Sequence, residues 1–255
     1  MAGHSKWANI KHRKGAQDAK RGKAFSKVVK DIMVAARIGG PDPDANPRLR
    51  LAISKAKAVS LPKENLERAI KKGAGLLEGV EYEEVMYEGY GPGGVAILIE
   101  CLTDNRNRTA PEIRNIFSKR GLSLAASGAA AHSFSRLGEV LVDMEQTDEE
   151  ELTLAALEHP VDDIVKSSDD QGTDVFQVLS AVADLEEVRA GLESDGFQVK
   201  EYGMTWLPTI TVSVEGREAD QLMALLNALD DNDDVQDVYA NYELSPAELS
   251  RLAES

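Results

Sequence analysis

Cysteine is almost absent from this chain: Cys101 is the single one in 255 residues. That excludes an internal disulfide framework and a zinc site built from cysteines. Cys101 sits inside an apolar run, which predicts a buried structural thiol. No stretch of about 18 consecutive apolar residues occurs, so no membrane-spanning helix is predicted. The N-terminus lacks the apolar core of a secretory signal. A cytoplasmic protein without membrane partners is the expectation.

Motifs for catalysis and for cofactors are also missing. The four histidines, His4, His12, His132 and His159, have no metal-ligating partner at helical spacing, and no Gly-x-Ser-x-Gly elbow occurs. Gly89, Gly91 and Gly94 match Gly-x-Gly-x-x-Gly in letter. An apolar strand pattern follows them, however, where a dinucleotide cradle needs a helix. The acidic run Asp230-Asp231-Asn232-Asp233-Asp234 lacks the glycine and distal glutamate of a calcium loop and reads as a solvated turn. The expectation is a protein that is not an enzyme and carries no cofactor or metal.

What the chain does have is charge, unevenly placed. The net charge is −15. Residues 1–75 nevertheless hold 18 Lys and Arg against 6 Asp and Glu, a surplus of 12 positive charges, while residues 76–255 hold 11 against 38. A basic front on an acidic body is the pattern of a polyanion-binding segment. The densest part is residues 1–23, with Lys6, Lys11, Arg13, Lys14, Lys20, Arg21 and Lys23 against Asp18 alone. Each cation that neutralises a phosphate releases a counterion, so affinity grows with such density. Trp7 and His12 are interleaved. Trp7 could stack on an unpaired base or anchor the segment in a core, and both readings stand. Gly3, Gly15 and Gly22 argue for a flexible arm with a short helical portion.

Beyond the arm, Phe25, Val28, Val29, Ile32, Met33 and Ala36 recur at helical spacing over residues 24–38, and Gly39-Gly40-Pro41 ends that helix. Asn46-Pro47 starts a second helix, and Pro62 a third that ends at Gly73. Arg48, Arg50, Lys55, Lys57, Lys71 and Lys72 lie on these helices as candidate phosphate contacts, which position a nucleic acid without specifying its sequence. Strands follow at 82–88 and 94–102. Thr109 and Glu112 suggest a capping box for a helix at 110–120, and Thr147 with Glu150 another. Arg106 and Arg108, just before the first of these, either seat an anion at a helix N-terminus or pair with nearby carboxylates. Residues 135–205 read β-α-β-β-α-β, the ferredoxin-like order. The run 208–214 alternates as a strand, a helix covers 217–229, a strand 235–240, and Ser245-Pro246 with Glu248 starts a last helix.

The predicted fold is therefore α+β: an N-terminal three-helix domain over residues 1–78, then two small α/β, ferredoxin-like lobes, one inserted in the other. Residues 79–134 with 206–245 form the outer lobe and 135–205 the inserted one.

The opening Met1-Ala-Gly-His-Ser-Lys-Trp-Ala-Asn-Ile-Lys-His-Arg-Lys14 resembles the signature of the YebC family. So do Asn46-Pro-Arg-Leu-Arg50, Glu67-Arg-Ala-Ile-Lys-Lys-Gly73, Tyr87-Glu-Gly-Tyr-Gly-Pro-Gly-Gly-Val95 and Glu100-Cys-Leu-Thr-Asp-Asn-Arg-Asn-Arg-Thr109. Phe134-Ser-Arg-Leu-Gly138 departs from the Phe-x-x-Lys-Gly expected there. The resemblance implies a three-domain protein whose bacterial relatives are described as DNA-binding transcriptional regulators. Mitochondrial relatives are described as translational activators, and the family brings no catalytic residues. The leading expectation is a DNA-binding transcriptional regulator. The alternative is a translation factor bound to ribosomal RNA, and the third an enzyme acting on nucleic acid. Nucleic acid is the expected partner, with the ribosome or a basic protein as a further partner for the acidic body.

Overall fold

A computed structural model describes residues 17–169 and 172–254 of the chain, with side chains described from Gly22 to Ala253 within these ranges. Three helices come first: α1 (Gln17–Gly39), α2 (Pro47–Ala58) and α3 (Lys63–Gly73). The first starts seven residues earlier than the apolar pattern predicts and passes through Gly22 unbroken. A helical glycine costs only about 1 kcal/mol, less than the packing and ion pairs described below return. Val28, Ile32, Met33, Ala35 and Ala36 bury against Leu49, Ala52 and Ala56 of α2 and Ala69 of α3. Asn46 fixes the α1–α2 link. Its Oδ1 accepts from the Leu49 N–H at 3.0 Å, and its Nδ2 donates to the Ala35 and Gly40 carbonyls at 2.8 Å each.

Gly73 is where α3 meets α1 most closely: a Cβ there would lie 2.3 Å from the Met33 carbonyl oxygen. Backbone cannot move aside as a side-chain tip can. Gly73→Ala is therefore expected to destabilise the helical unit by about 2–3 kcal/mol, the cost of overpacking, read as a lower midpoint in urea unfolding.

Two sheets follow. Strands β1 (Glu83–Tyr90), β2 (Ala96–Thr103) and β8 (Val235–Ala240) form one in the order β1-β2-β8, all antiparallel. Between β2 and β8 in sequence lies the second sheet: β3 (Phe134–Asp143), β4 (Asp163–Ser168), β5 (Asp174–Ser180) and β6 (Val199–Pro208), ordered β4-β5-β3-β6. With α5 (Glu149–Ala156) after β3 and α6 (Leu185–Ser194) after β5, this is the ferredoxin-like arrangement that the element order predicts. Helices α4 (Arg106–Ser118) and α7 (Gly216–Asp230) cover one face of the first sheet, burying Ile97, Ile99, Cys101, Ile113, Phe117, Leu222 and Leu226. The opposite face, through Ala96, Leu98 and Tyr239, packs on Phe134 and Trp206 of the second. Strand β2 is thus buried on both faces, which fits its mostly apolar sequence; Glu100 within it accepts from Trp206 Nε1 at 2.9 Å. Burial pushes the Cys101 thiol up to about 12, so it stays protonated and inert.

Several boundaries differ from the sequence expectation. The alternating run 208–214 is not one strand: β6 ends at Pro208, and Val212–Ser213 forms a two-residue β7 parallel to β9 (Tyr242–Glu243). Helix α4 begins at Arg106, capped by Asn105, whose side chain accepts from the Asn107 and Arg108 N–H groups. Thr109 is consequently an interior, fully buried residue and not a cap. Asp148, not Thr147, caps α5. The last helix, α8 (Pro246–Glu254), starts as expected, with the Glu248 N–H donating to Ser245 Oγ at 3.2 Å.

Candidate nucleic-acid interface

The fold divides the cations, predicted and others, into three groups. Lys6, Trp7, Lys11, His12, Arg13 and Lys14 lie outside the described residues. Lys20 and Arg21 fall in the first turns of α1, and their side chains are likewise not among those described.

The second group faces inward. Lys23 is four residues before Lys27, which is three before Lys30, so the three share one stripe of α1. That stripe docks on the acidic run at the end of α7. Lys23 pairs with Asp231 at 3.3 Å, Lys27 with Asp230 at 2.9 Å and Lys30 with Asp234 at 3.0 Å. The run is therefore not the solvated turn that its composition predicts. It is a receptor for a basic helix, which neighbour-by-neighbour reading could not find because the partners are about 200 residues apart in sequence.

Asp234 is the hub of this contact and is 4% exposed. Its Oδ2 accepts from Arg108 and from Thr109 Oγ1, both at 2.7 Å, and from Thr103 Oγ1 at 3.3 Å. Lys30 also donates to the Leu102 and Asp233 carbonyls and lies 5.3 Å from the centre of the Tyr82 ring. Burial alone would raise the Asp234 carboxyl. The hydrogen bonds from Arg108, Thr109 and Lys30 outweigh it and hold the group below its ordinary value. A cleft of about 530 Å³ opens beside this hub, lined by Lys30, Tyr82, Arg108, Glu112 and the acidic run.

The remaining predicted residues of this kind are also matched by carboxylates. Arg106 meets Glu83 at 2.8 Å, and Arg108 meets Asp104 at 2.8 Å as well as Asp234. Local pairing is the arrangement of this loop. Arg48 pairs with Glu84, and Arg50 lies 3.8 Å from Glu186 of the inserted lobe. Lys55 is half-buried. Burial disfavours its charge, but Asp237, Asp31, Glu201 and Glu139 outweigh that and hold its ammonium above the ordinary lysine range. These cations brace the helical unit against both lobes, and Leu51 beside them packs into the core of the inserted lobe.

Asp31, opposite Lys55, is shifted the other way. Burial raises its carboxyl from 3.8 to about 6, with Lys55 opposing and Asp237 adding. A carboxyl raised in the folded state binds its proton more tightly there than in the unfolded chain. Its ionisation therefore weakens the fold as pH rises from about 4 to about 6. Asp31→Asn should remove that fall, so urea-unfolding free energies measured across this window should vary less with pH in the variant than in the parent.

The third group faces solvent. Lys57 and Lys71 are exposed and Lys72 half-buried, and none has an ion-pair partner among the described residues. Arg68, on the same helix and not among the candidates that the sequence suggests, is likewise exposed and unpaired among them. Lys57 ends α2, and Arg68, Lys71 and Lys72 lie three and one apart on α3, whose first turn carries Glu64.

The class defined by this arrangement is an α+β protein with a basic helical front braced on two acidic lobes. A family model described as "TACO1/YebC protein N-terminal domain" matches residues 5–76, and one described as "TACO1/YebC second and third domain" matches residues 82–242. The chain belongs to the TACO1/YebC family. A protein of Desulfatibacillum aliphaticivorans named "Probable transcriptional regulatory protein" is 52% identical over 96% of this chain and 97% of its own length. A protein of the same name from Thermotoga maritima is 49% identical over 99% and 98%. A crystal structure of a conserved hypothetical protein from Aquifex aeolicus superposes with a TM-score of 0.82 at 46% identity, covering 92% of this chain and 96% of that one.

Proposed function

We propose that this protein is a cytoplasmic nucleic-acid-binding regulator, not an enzyme, that acts on transcription by gripping the phosphate backbone of DNA. One observation carries the reading: the inward cations are matched by carboxylates, while Lys57, Arg68 and Lys71, exposed, and Lys72, half-buried, have no carboxylate partner among the described residues, in the same 75-residue front that holds the dense charge of residues 1–23. The names of its relatives support the regulatory part. Residues 1–78 would be the binding domain. The lobes 79–134 with 206–245 and 135–205 are acidic in sum, which limits the surface that phosphate can approach.

The first turn of α3 favours a second reading in part. It carries Glu64, followed by Glu67, which repel phosphate and, of the base edges in a major groove, suit the cytosine amino group and not guanine. Recognition of backbone and shape remains, and ribosomal RNA offers both. A translation factor on the ribosome is that alternative.

Removal of residues 1–22 tests the proposal. The truncated chain should bind a DNA duplex at least about 100-fold more weakly at low salt, with equal losses on unrelated sequences, as expected for about six lost phosphate contacts. Unchanged affinity would exclude the arm as a contact. Ribosome co-sedimentation of the full chain, abolished by Lys11→Glu, Arg13→Glu and Lys14→Glu together, would favour the second reading.

A further inference from the structure

The negative charge of the acidic body is not uniform. Residues 135–205 hold 4 Lys and Arg against 19 Asp and Glu, and residues 206–255 hold 2 against 11. Residues 82–134 hold 5 against 6, and all five cations fall within α4 and the two residues after it. Arg106 and Arg108, at its start, are paired with carboxylates. Arg114, Lys119 and Arg120, at its other end, are exposed and have no carboxylate partner among the described residues. The Arg120 guanidinium is held in place by backbone alone, donating to the Ile116 carbonyl at 3.0 Å and to Ala224 at 2.9 Å. It therefore presents a fixed, uncompensated charge.

The position of this helix end matters as much as its charge. The acidic run has α1 on one side and α4 on the other: Lys23 meets Asp231 at 3.3 Å, and the next residue, Asn232, donates to Glu112 at 2.9 Å. Lys23, six residues into α1, thus lies one residue of the run away from Glu112 in the middle of α4. From Glu112 to Lys119 is about 10 Å at 1.5 Å per residue. That distance spans about three phosphates of one strand at 3.4 Å of axial rise each.

We propose that the C-terminal end of α4, through Arg114, Lys119 and Arg120, is a second contact for the phosphate backbone of duplex DNA, in addition to the cations of residues 1–75. This rests on the nucleic-acid reading above and adds a site on the second unit of the fold. It makes the protein a clamp on two units that are held in fixed relation by the Lys30–Asp234 hub.

The experiment uses the full chain and a 24-base-pair DNA duplex, with binding measured over a range of potassium chloride concentrations. Arg114→Glu with Lys119→Glu should weaken binding at least about tenfold near 0.1 M salt and lower the slope of log affinity against log salt by about 2, one per lost contact. Lys166→Glu, the same charge change on β4 of the inserted lobe, should leave the slope unaltered. Should the double variant melt at a lower temperature than the parent, Arg114→Gln with Lys119→Gln supplies the same slope test without added repulsion. A slope equal to that of the parent in a folded double variant overturns the second contact, and the reading of the arm survives if removal of residues 1–22 still flattens the slope. If the parent itself binds no duplex, both fall. A loss confined to an RNA duplex of the same sequence overturns the assignment to DNA.

Discussion

Replacing Asp234 with alanine is expected to cost the fold about 3–5 kcal/mol, the usual loss when one partner is removed from a buried charge network. Four donors converge on this carboxylate, from Lys30, Arg108, Thr109 and Thr103. Lys30 is 8% exposed. Without Asp234 its ammonium keeps two carbonyl partners but no counter-charge, and Thr109, fully buried, loses one of its acceptors. Urea unfolding should show the loss directly. Asp231→Ala is the internal contrast: its pair with Lys23 is open to solvent on the Asp231 side, at 80% exposure, and an exposed pair is worth at most about 1 kcal/mol. Equal costs for the two would mean that Asp234 is not the hub. The sign of the pH dependence follows from the depressed Asp234 carboxyl. Its contribution is complete above the ordinary aspartate value of 3.8 and is lost as pH falls through the lower folded value. Asp31 acts oppositely and at higher pH, so the two effects separate on one titration.

The largest expected effect on binding comes from the exposed cations. Lys57→Glu, Arg68→Glu, Lys71→Glu and Lys72→Glu together should weaken duplex binding about 100-fold or more at low salt and reduce the salt slope by about 4, with little change in melting temperature. Arg48→Gln and Arg50→Gln should do the reverse. They leave Glu84 without its Arg48 partner, take the Arg50 charge away from Glu186, which keeps Arg189 at 3.1 Å, and loosen the helical unit from the lobes, lowering stability while the slope stays as it was. Fluorescence anisotropy with thermal melting on the same samples separates the two sets. A slope that falls by 2 in the Arg48 and Arg50 variant would show that these side chains leave their carboxylates for phosphate.

This division between bracing and presented cations was not legible in the sequence. The helices were, because Val28, Ile32 and Ala36 recur at a helical period and Asn46-Pro47 is a local start signal. The ferredoxin-like order of residues 134–208 was legible for the same reason, as strands and helices alternate there with clear turns. What a period cannot give is the partner of a charge. Lys23, Lys27 and Lys30 look like a solvated stripe until the turn at 230–234 is folded against them. Lys55 looks like a surface cation until Asp237 and Glu201 arrive from two different sheets. Thr109 read as a cap because its hydroxyl suits one; a buried carboxylate about 125 residues away claims that hydroxyl instead. The end of α4 escaped notice because its cations are scattered over seven residues and sum to nothing unusual within an acidic chain.

The central claim is that the protein holds a polyanion through presented positive charge at its front. The most direct test is the affinity of the intact chain for a DNA duplex between 50 and 200 mM potassium chloride. A loss of about a thousandfold or more across that range, on any sequence, is the predicted result. Binding that is absent at the lowest salt, or that does not respond to salt at all, would contradict it.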